Sequence, residues 1–561
     1  MTLAQDRVRV RVPATEAYLV QRVLDALLRE GYLGAGVLVS LPEVDDEQWL
    51  DVGARYLPVR PGRFLADWVL RRPAVAVRVS GELRLVEGLD DVLALFTPPD
   101  DADVDPDERT GYAAFVDECR EAREALDLGE RHRTATFDRL VDRHGTAPTG
   151  VAGSVYYDAL AAHVDHPVYP TARCRHGIAG GALRRHAPEF APEFALRWAG
   201  VPADLAVRHG QLPPWWPTST QLGLPDGFLP FPVHPLTWHA VELPGGLPSA
   251  VPLLRVAPTL SMRTVAPLDH PDVHIKVPLP TSTLGARNRR SIKPGTLTDG
   301  AVVQQLLADV LREEPALRAR VLLADESTYG HAGHEYLGYL VRRSPAGLDD
   351  SRVVTAAALL AETPSGRLVI AELADEFFAG DVLALFEAYL RLLFELHVTL
   401  WLRYGIALES HQQNTSLVLT HGRPIRLLYK DNDGARIDPT RLGRVPPVDD
   451  QRMLVRDPYE LSDLFTAITV HLCAGAPAFG LAERGVAPVD QLLGLVRRCL
   501  VEAAAAHDAT VLRDRVLDAR RLPAKSMVIA GTLRSKARTG ATDINKYYGT
   551  TSPNYLLPRR T

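Results

Sequence analysis

The chain has 561 residues, 46% hydrophobic and 24% charged, the make-up of an ordinary globular protein that is too long for a single core. A formal net charge of −6 with a pI near 6.3 argues against a nucleic-acid binder, which shows a basic excess or a basic face. Cys119, Cys174, Cys473 and Cys499 are scattered and form no Cys-x-x-Cys pair, so neither a zinc knuckle nor a disulfide framework is indicated and a reducing cytoplasm is the natural setting.

Taken in chain order, Arg7 to Val12 reads as a short strand. Glu16 to Glu30 and Asp117 to His144 carry apolar residues at helical spacing, with strand-like pieces at Val75 to Val79 and Leu83 to Val86 between them. Residues 1–150 are therefore expected to form a mixed, mostly helical domain. The prolines of Val201 to Pro235 predict an irregular stretch, whereas Leu253 to Ile275 alternates short β runs with turns. Residues 151–350 read as a sheet-rich middle domain. In the remaining part, 351–561, Asp381 is placed to cap a long helix whose face is Val382, Leu385, Phe386, Tyr389, Leu393, Leu396 and Leu400, with Gly405 ending it. Glu387, Arg391, Glu395 and His397 disqualify that helix as a membrane span, and the N-terminus lacks the apolar core of a signal peptide.

The helix runs into Glu409-Ser410-His411-Gln412-Gln413-Asn414, and then into a predicted hairpin, Thr415 to Thr420 and Ile425 to Lys430, turning at His421-Gly422-Arg423-Pro424. Antiparallel pairing sets Asn414 beside Asp431. Glu409, Asn414 and Asp431 then converge as hard oxygen ligands suited to magnesium and, through it, to a nucleotide's phosphates. Ser261 and Arg263, Lys276, Thr283 and Arg287 supply hydroxyls and cations of the kind that hold a polyphosphate.

Assembled in order, these pieces resemble a known family. Asp165-His166-Pro167-Val168-Tyr169-Pro170-Thr171-Ala172-Arg173-Cys174-Arg175-His176-Gly177 is similar to the Gly-His-Pro-x-His-Pro-x-x-Lys-x-Arg-x-Gly signature of the IucA/IucC family, the siderophore synthetases that work without a nonribosomal peptide synthetase. His186-Ala187-Pro188-Glu189-Phe190, Pro232-Val233-His234-Pro235, Ser261-x-Arg263-Thr264 and Glu409-x-His411-x-Gln413-Asn414 follow in the family's order.

The resemblance implies an α+β fold of three parts: a thumb (1–150), fingers (151–350) and a palm (351–561) with a distant kinase-like hairpin core. It also implies an ATP-dependent ligase, a homodimer, that adenylates a polycarboxylic acid and passes the acyl group to an amine, hydroxylamine or alcohol. By position, Ser261, Arg263, Thr283 and Arg287 are implied to contact phosphates, with Lys276 a further cation. His411 and Gln413 are implied near the α-phosphate and ribose, and Glu409, Asn414 and Asp431 as magnesium ligands. His166 and Arg173 are implied at the nucleotide, and Arg175 and Lys525 at substrate carboxylates.

Three positions depart from the signature: Asp165 for glycine, Tyr169 for histidine and Arg173 for lysine. They carry the expectation that the acid differs from free citrate. Two rival readings are a kinase-like phosphotransferase, disfavoured because no His-Arg-Asp triplet is present, and a non-catalytic nucleotide-binding scaffold, disfavoured because the metal carboxylates and cations are all there.

Overall fold

A computed structural model describes residues 12–100, 105–242, 246–249, 251–541, 543 and 546–558. Most of the strand expected at Arg7 to Val12 lies outside these residues. The helix expected from Glu16 is Ala14–Arg29, and the one expected from Asp117 begins earlier, at Pro106, and runs to His144. Asp105 caps it by accepting the Asp107 N–H, and Pro106 sits in its first turn, where a missing N–H costs nothing.

Between the two helices the chain is not mostly helical. It forms a six-stranded antiparallel sheet from Val37 to Val86, including Val37–Leu41, Asp45–Asp51 and Arg55–Pro61. The acid-rich strand Asp45–Asp51 buries only Trp49 and Leu50, so it lacks the alternation by which a half-buried strand is recognised. The stretch from Val201 is also more regular than its prolines suggest. Phe228–Val233 pairs along its whole length with Arg197–Pro202. Pro230 and Pro232 fit there because Phe228–Val233 is the edge of its three-stranded sheet, where one row of N–H groups has no partner to serve.

Two further sheets carry the middle of the chain and the hairpin. A seven-stranded sheet contains Arg255–Pro258, Thr264–Pro267, Val273–Lys276, Leu337–Arg343 and Asp325–His334 in that order, in agreement with the β-rich middle region. A four-stranded sheet holds the hairpin Thr415–Leu419 and Arg426–Tyr429, flanked by Arg352–Thr355 and, in parallel, Val321–Leu323.

Behind the second sheet lies the main core. Val382–Tyr404 is a buried helix, capped by Asp381 and ended by Gly405 at φ 67°, as its sequence predicts. Tyr459–Glu483 is long and apolar enough to cross a membrane by length and composition, yet 94% of that window is buried inside the fold, as a core helix is. A separate core under the N-terminal sheet is closed by residues from far along the chain. Val528, Ile529 and Leu533 pack with Leu19, Val23, Tyr112 and Phe115, and the buried Glu30 accepts the N–H groups of Val528 and Ile529.

Candidate active site

Lys276 ends its strand, and its Nζ donates to Asp431 Oδ1 at 2.8 Å and to Asp433 Oδ2 at 3.1 Å. This bridge ties the seven-stranded sheet to the turn that follows the hairpin. It stands in a cleft that Arg263, Ser291 and Glu326 also line. Asp431 adopts φ 75°, a left-handed conformation that a non-glycine residue holds only when its surroundings impose it. Glu326 imposes it here: its carboxylate accepts the Asp431 N–H at 2.9 Å and the Asn432 N–H at 3.2 Å. Glu326 is in turn paired with the buried guanidinium of Arg342, which lies 4.0 Å from Asp431 Oδ2. Burial works against a charge on Asp431, but Lys276, Arg342 and Arg263 outweigh it and hold the carboxyl well below the usual range.

The hairpin register differs from expectation by one residue. Thr415 faces Tyr429, so Asn414 stands opposite Lys430, whose N–H donates to the Asn414 carbonyl at 3.0 Å, and Asp431 comes next. The Asn414 amide donates to the Glu409 carbonyl at 3.1 Å, which leaves its Oδ1 as a free acceptor. Lys525 Nζ lies 3.3 Å and Lys546 Nζ 3.8 Å from the Glu409 carboxylate. Burial raises the Glu409 pKa, and these two lysines with His411 more than reverse it. Only a glycine fits at 434, because a Cβ there would come 2.5 Å from Glu409 Oε2. Burial pushes the His411 imidazole down, against the pull of the Glu409 and Asp431 carboxylates, and Gln413 is half-buried. The loop is anchored from below. Ser410 hydrogen-bonds the buried His397 of the long helix, and Gln412 donates to the Leu472 carbonyl at 2.6 Å.

Opposite lie the hydroxyls and arginines. Ser261 Oγ accepts the Thr264 N–H at 3.1 Å, and Arg263 donates to the Ser291 carbonyl at 2.9 Å. Thr283 accepts from Arg290, a guanidinium that burial and the neighbouring Arg263 push down to about 9, against the pull of Asp431, Asp433 and Glu409. Arg287 instead donates to the Thr532 carbonyl at 2.8 Å, on the tail side of the loop. Met262 and Leu284 have φ 62° and 55°, so the segments bearing Ser261, Arg263 and Thr283 share the backbone strain of Asp431.

The signature segment is built differently. His166 Nδ1 accepts the N–H groups of Val168 and Tyr169, and burial, then the charges of His411 and nearby cations, push the ring down to about 3. The other signature positions have partners inside the fold. Arg173 pairs with Asp165, and Arg175 donates through two nitrogens to Glu189 at 2.7 and 2.8 Å. A substrate carboxylate at either guanidinium would have to displace an internal one. Tyr169 is fully buried and donates to Glu118 at 2.7 Å, where Thr171 and Thr532 also donate. The three departures from the signature are thus matched by partners, Asp165 by Arg173 and Tyr169 by Glu118.

Sequence reasoning missed Glu326, Arg342 and Lys546. The first two stand in strands with no motif around them, and Lys546 lies in a tail whose charges read as solvated. Asp433 is readable from the sequence as an alternative carboxylate to Asp431, and Arg290 as part of a basic cluster, Arg287 to Arg290, able to hold an anion.

The fold is that of siderophore synthetases. The solved structure of ATP-bound aerobactin synthetase IucA from Klebsiella pneumoniae superposes with a TM-score of 0.72 at 16% identity, covering 97% of this chain and 100% of that one. Residues 157–361 match the model of the IucA / IucC family, so the relationship read from the motifs is borne out there, and residues 383–541 match that of the ferric iron reductase FhuF-like transporter. Among relatives, the uncharacterized protein y4xN of Sinorhizobium fredii is 28% identical over 65% of this chain and 68% of its own length. The rhizobactin siderophore biosynthesis protein RhbC of Rhizobium meliloti is 28% identical over 48% of this chain, which spans about half (52%) of that protein.

Proposed function

We propose that this chain is an ATP-dependent ligase of siderophore or related specialised metabolism, working in the cytoplasm as a homodimer with the three-part architecture of thumb, fingers and palm. It adenylates a polycarboxylic acid and condenses the acyl adenylate with an amine, hydroxylamine or alcohol. The observation that carries this reading is the convergence of Lys276 and Arg263 with Asp431 and Asp433 on one cleft, with the buried Arg290 in electrostatic reach of those two carboxylates and of Glu409. In the first step a carboxylate oxygen of the acid attacks the α-phosphorus of ATP, and pyrophosphate leaves. That brings anions together, so the chain's part is to place fixed positive charge where negative charge accumulates, and Arg263, Arg290 and Lys276 are held for it by contacts already made. In the second step the nucleophile attacks the acyl carbon, AMP leaves, and the His411 imidazole is a base available to the incoming group.

The donor set fits magnesium. Glu409 and Asp431 are kept ionised, and Asn414 has a free Oδ1 beside them. Bound there, the ion would neutralise phosphate charge and polarise the α-phosphorus. Glu326 and Arg342 act through Asp431 as positioning residues.

The test is a product assay over a panel of di- and tricarboxylic acids, including citrate, with hydroxylamine as surrogate nucleophile. Acid-dependent release of pyrophosphate and AMP is the expected outcome. ADP with a phosphorylated acid would replace this reading with a phosphotransferase.

A further inference from the structure

Outside the cleft, one group of side chains has the composition of a different kind of site. Glu121, Cys174 and His176 each offer a ligand atom, and these atoms lie within 4.8 Å of one another. The thiol of Cys174 is buried and donates to Glu121 Oε2 at 3.3 Å. His176 Nε2 is buried, makes no hydrogen bond of good geometry, and faces Glu118 Oε2 at 3.5 Å.

The backbone explains why these residues meet. Cys174 and His176 flank Arg175, whose side chain is drawn elsewhere by its two bonds to Glu189, so its neighbours share the opposite side. His176 is pinned at both backbone groups: its N–H donates to the Ser282 carbonyl at 3.2 Å, and its carbonyl accepts from the Thr281 hydroxyl at 2.9 Å. Glu121 approaches from the helix Pro106–His144, one turn beyond Glu118 and on the same face.

We infer that Glu121, Cys174 and His176 form a binding site for a zinc-class divalent metal ion, separate from the magnesium site proposed in the cleft. A thiolate, an imidazole and a carboxylate are ligands such ions favour, and a thiolate discriminates against magnesium. Ligand atoms around tetrahedral zinc stand about 3.3 to 3.6 Å apart for this donor set, so the three need to close by up to about 1.5 Å, which side-chain rotation supplies. Three protein ligands leave one position open. With 24% of the His176 side chain exposed, that position has access to solvent. Glu118 Oε2 lies 3.5 Å from His176 Nε2, so with the ion held at Nδ1 it would accept the Nε2 proton and orient the ring.

The ion would fasten the signature segment to the long N-terminal helix a few residues from Thr283.

The experiment is a titration of the chelator-treated full-length protein with cobalt(II), followed by competition with zinc(II). The expected result is one equivalent of cobalt bound with the intense near-ultraviolet absorption of a cobalt–thiolate bond. Zinc should displace it and raise the melting temperature of the wild type. Cys174→Ser should remove the thiolate absorption, and His176→Ala should weaken zinc binding by at least about 100-fold. Should either fail to fold, Glu121→Gln, on a partly exposed side chain, is expected to weaken zinc binding by about tenfold. Absence of stoichiometric cobalt–thiolate absorption in the wild type would overturn the inference, as would its persistence in folded Cys174→Ser.

Discussion

The cleft and the signature segment are both rich in charge, but they spend it in opposite ways. Around Asp431 the charges are held at the wall of an open cleft, with Lys276 shared between Asp431 and Asp433 and Glu409 shared between Lys525 and Lys546. In the signature segment the two arginines are neutralised inside the fold, Arg173 by Asp165 and Arg175 by Glu189, and the hydroxyls of Tyr169 and Thr171 donate to Glu118 of the long N-terminal helix. Neighbouring motifs can thus serve different purposes. One set of residues is arranged to meet a ligand, and the other to hold the segments that carry it.

The contrast is broken most severely at Glu118. Glu118→Ala would leave the hydroxyls of Tyr169, Thr171 and Thr532 without their buried acceptor, and we expect a loss of about 3–5 kcal/mol in urea unfolding. Loss of pyrophosphate release without loss of stability would move Glu118 into the catalytic group. Asp431→Asn should do the reverse. Its fold should be retained while kcat/KM for acid-dependent pyrophosphate release falls about 100-fold, roughly 2.7 kcal/mol, and near-normal turnover would remove Asp431 from the site.

Gly434→Ala tests the same side more gently. The new methyl meets both the Glu409 carboxylate and its Cβ, so activity should drop about tenfold, roughly 1.4 kcal/mol, together with a loss of about 1–3 kcal/mol of stability. Tyr169→Phe should cost about 1 kcal/mol of stability and leave kcat/KM for the adenylated acid within about twofold, whereas a change in preferred acid would place Tyr169 at the substrate.

The smallest effect is set by pH. His166 is held near 3 in the fold against 6.5 in the unfolded chain, so the unfolded chain binds more protons between those values. The stability due to neutral His166 is present above pH 6.5 and lost as pH falls toward 3, by under about 1 kcal/mol at pH 6. His166→Gln should flatten that part of the stability profile, and an unchanged slope would show that His166 does not titrate there.

The hairpin and the long helix were legible because their signals are local: turn residues between two β runs, and Asp381 and Gly405 at the ends of an apolar face. The cleft residues followed from the hairpin, since strand pairing carries Asp431 back to the Glu409 loop. Glu118 and Glu326 were not legible. An isolated acid in a helix or strand reads as solvated, and only the tertiary fold reveals that distant donors close over it. The sheet from Val37 to Val86 escaped for a related reason, since the strand Asp45–Asp51 buries too little to show a period.

The dependence of the cleft on the tail has a consequence for synthesis. Glu409 meets Lys525 across 116 residues of chain, and Glu30 meets Val528 across 498. While a ribosome is still making the last helices, the hairpin can pair and the long helix can pack. Glu409 would still lack the two lysines, and the N-terminal core would still expose the surface that Val528, Ile529 and Leu533 later cover. A nascent chain therefore has no complete site and one unsealed apolar face, and the step that creates the first removes the second.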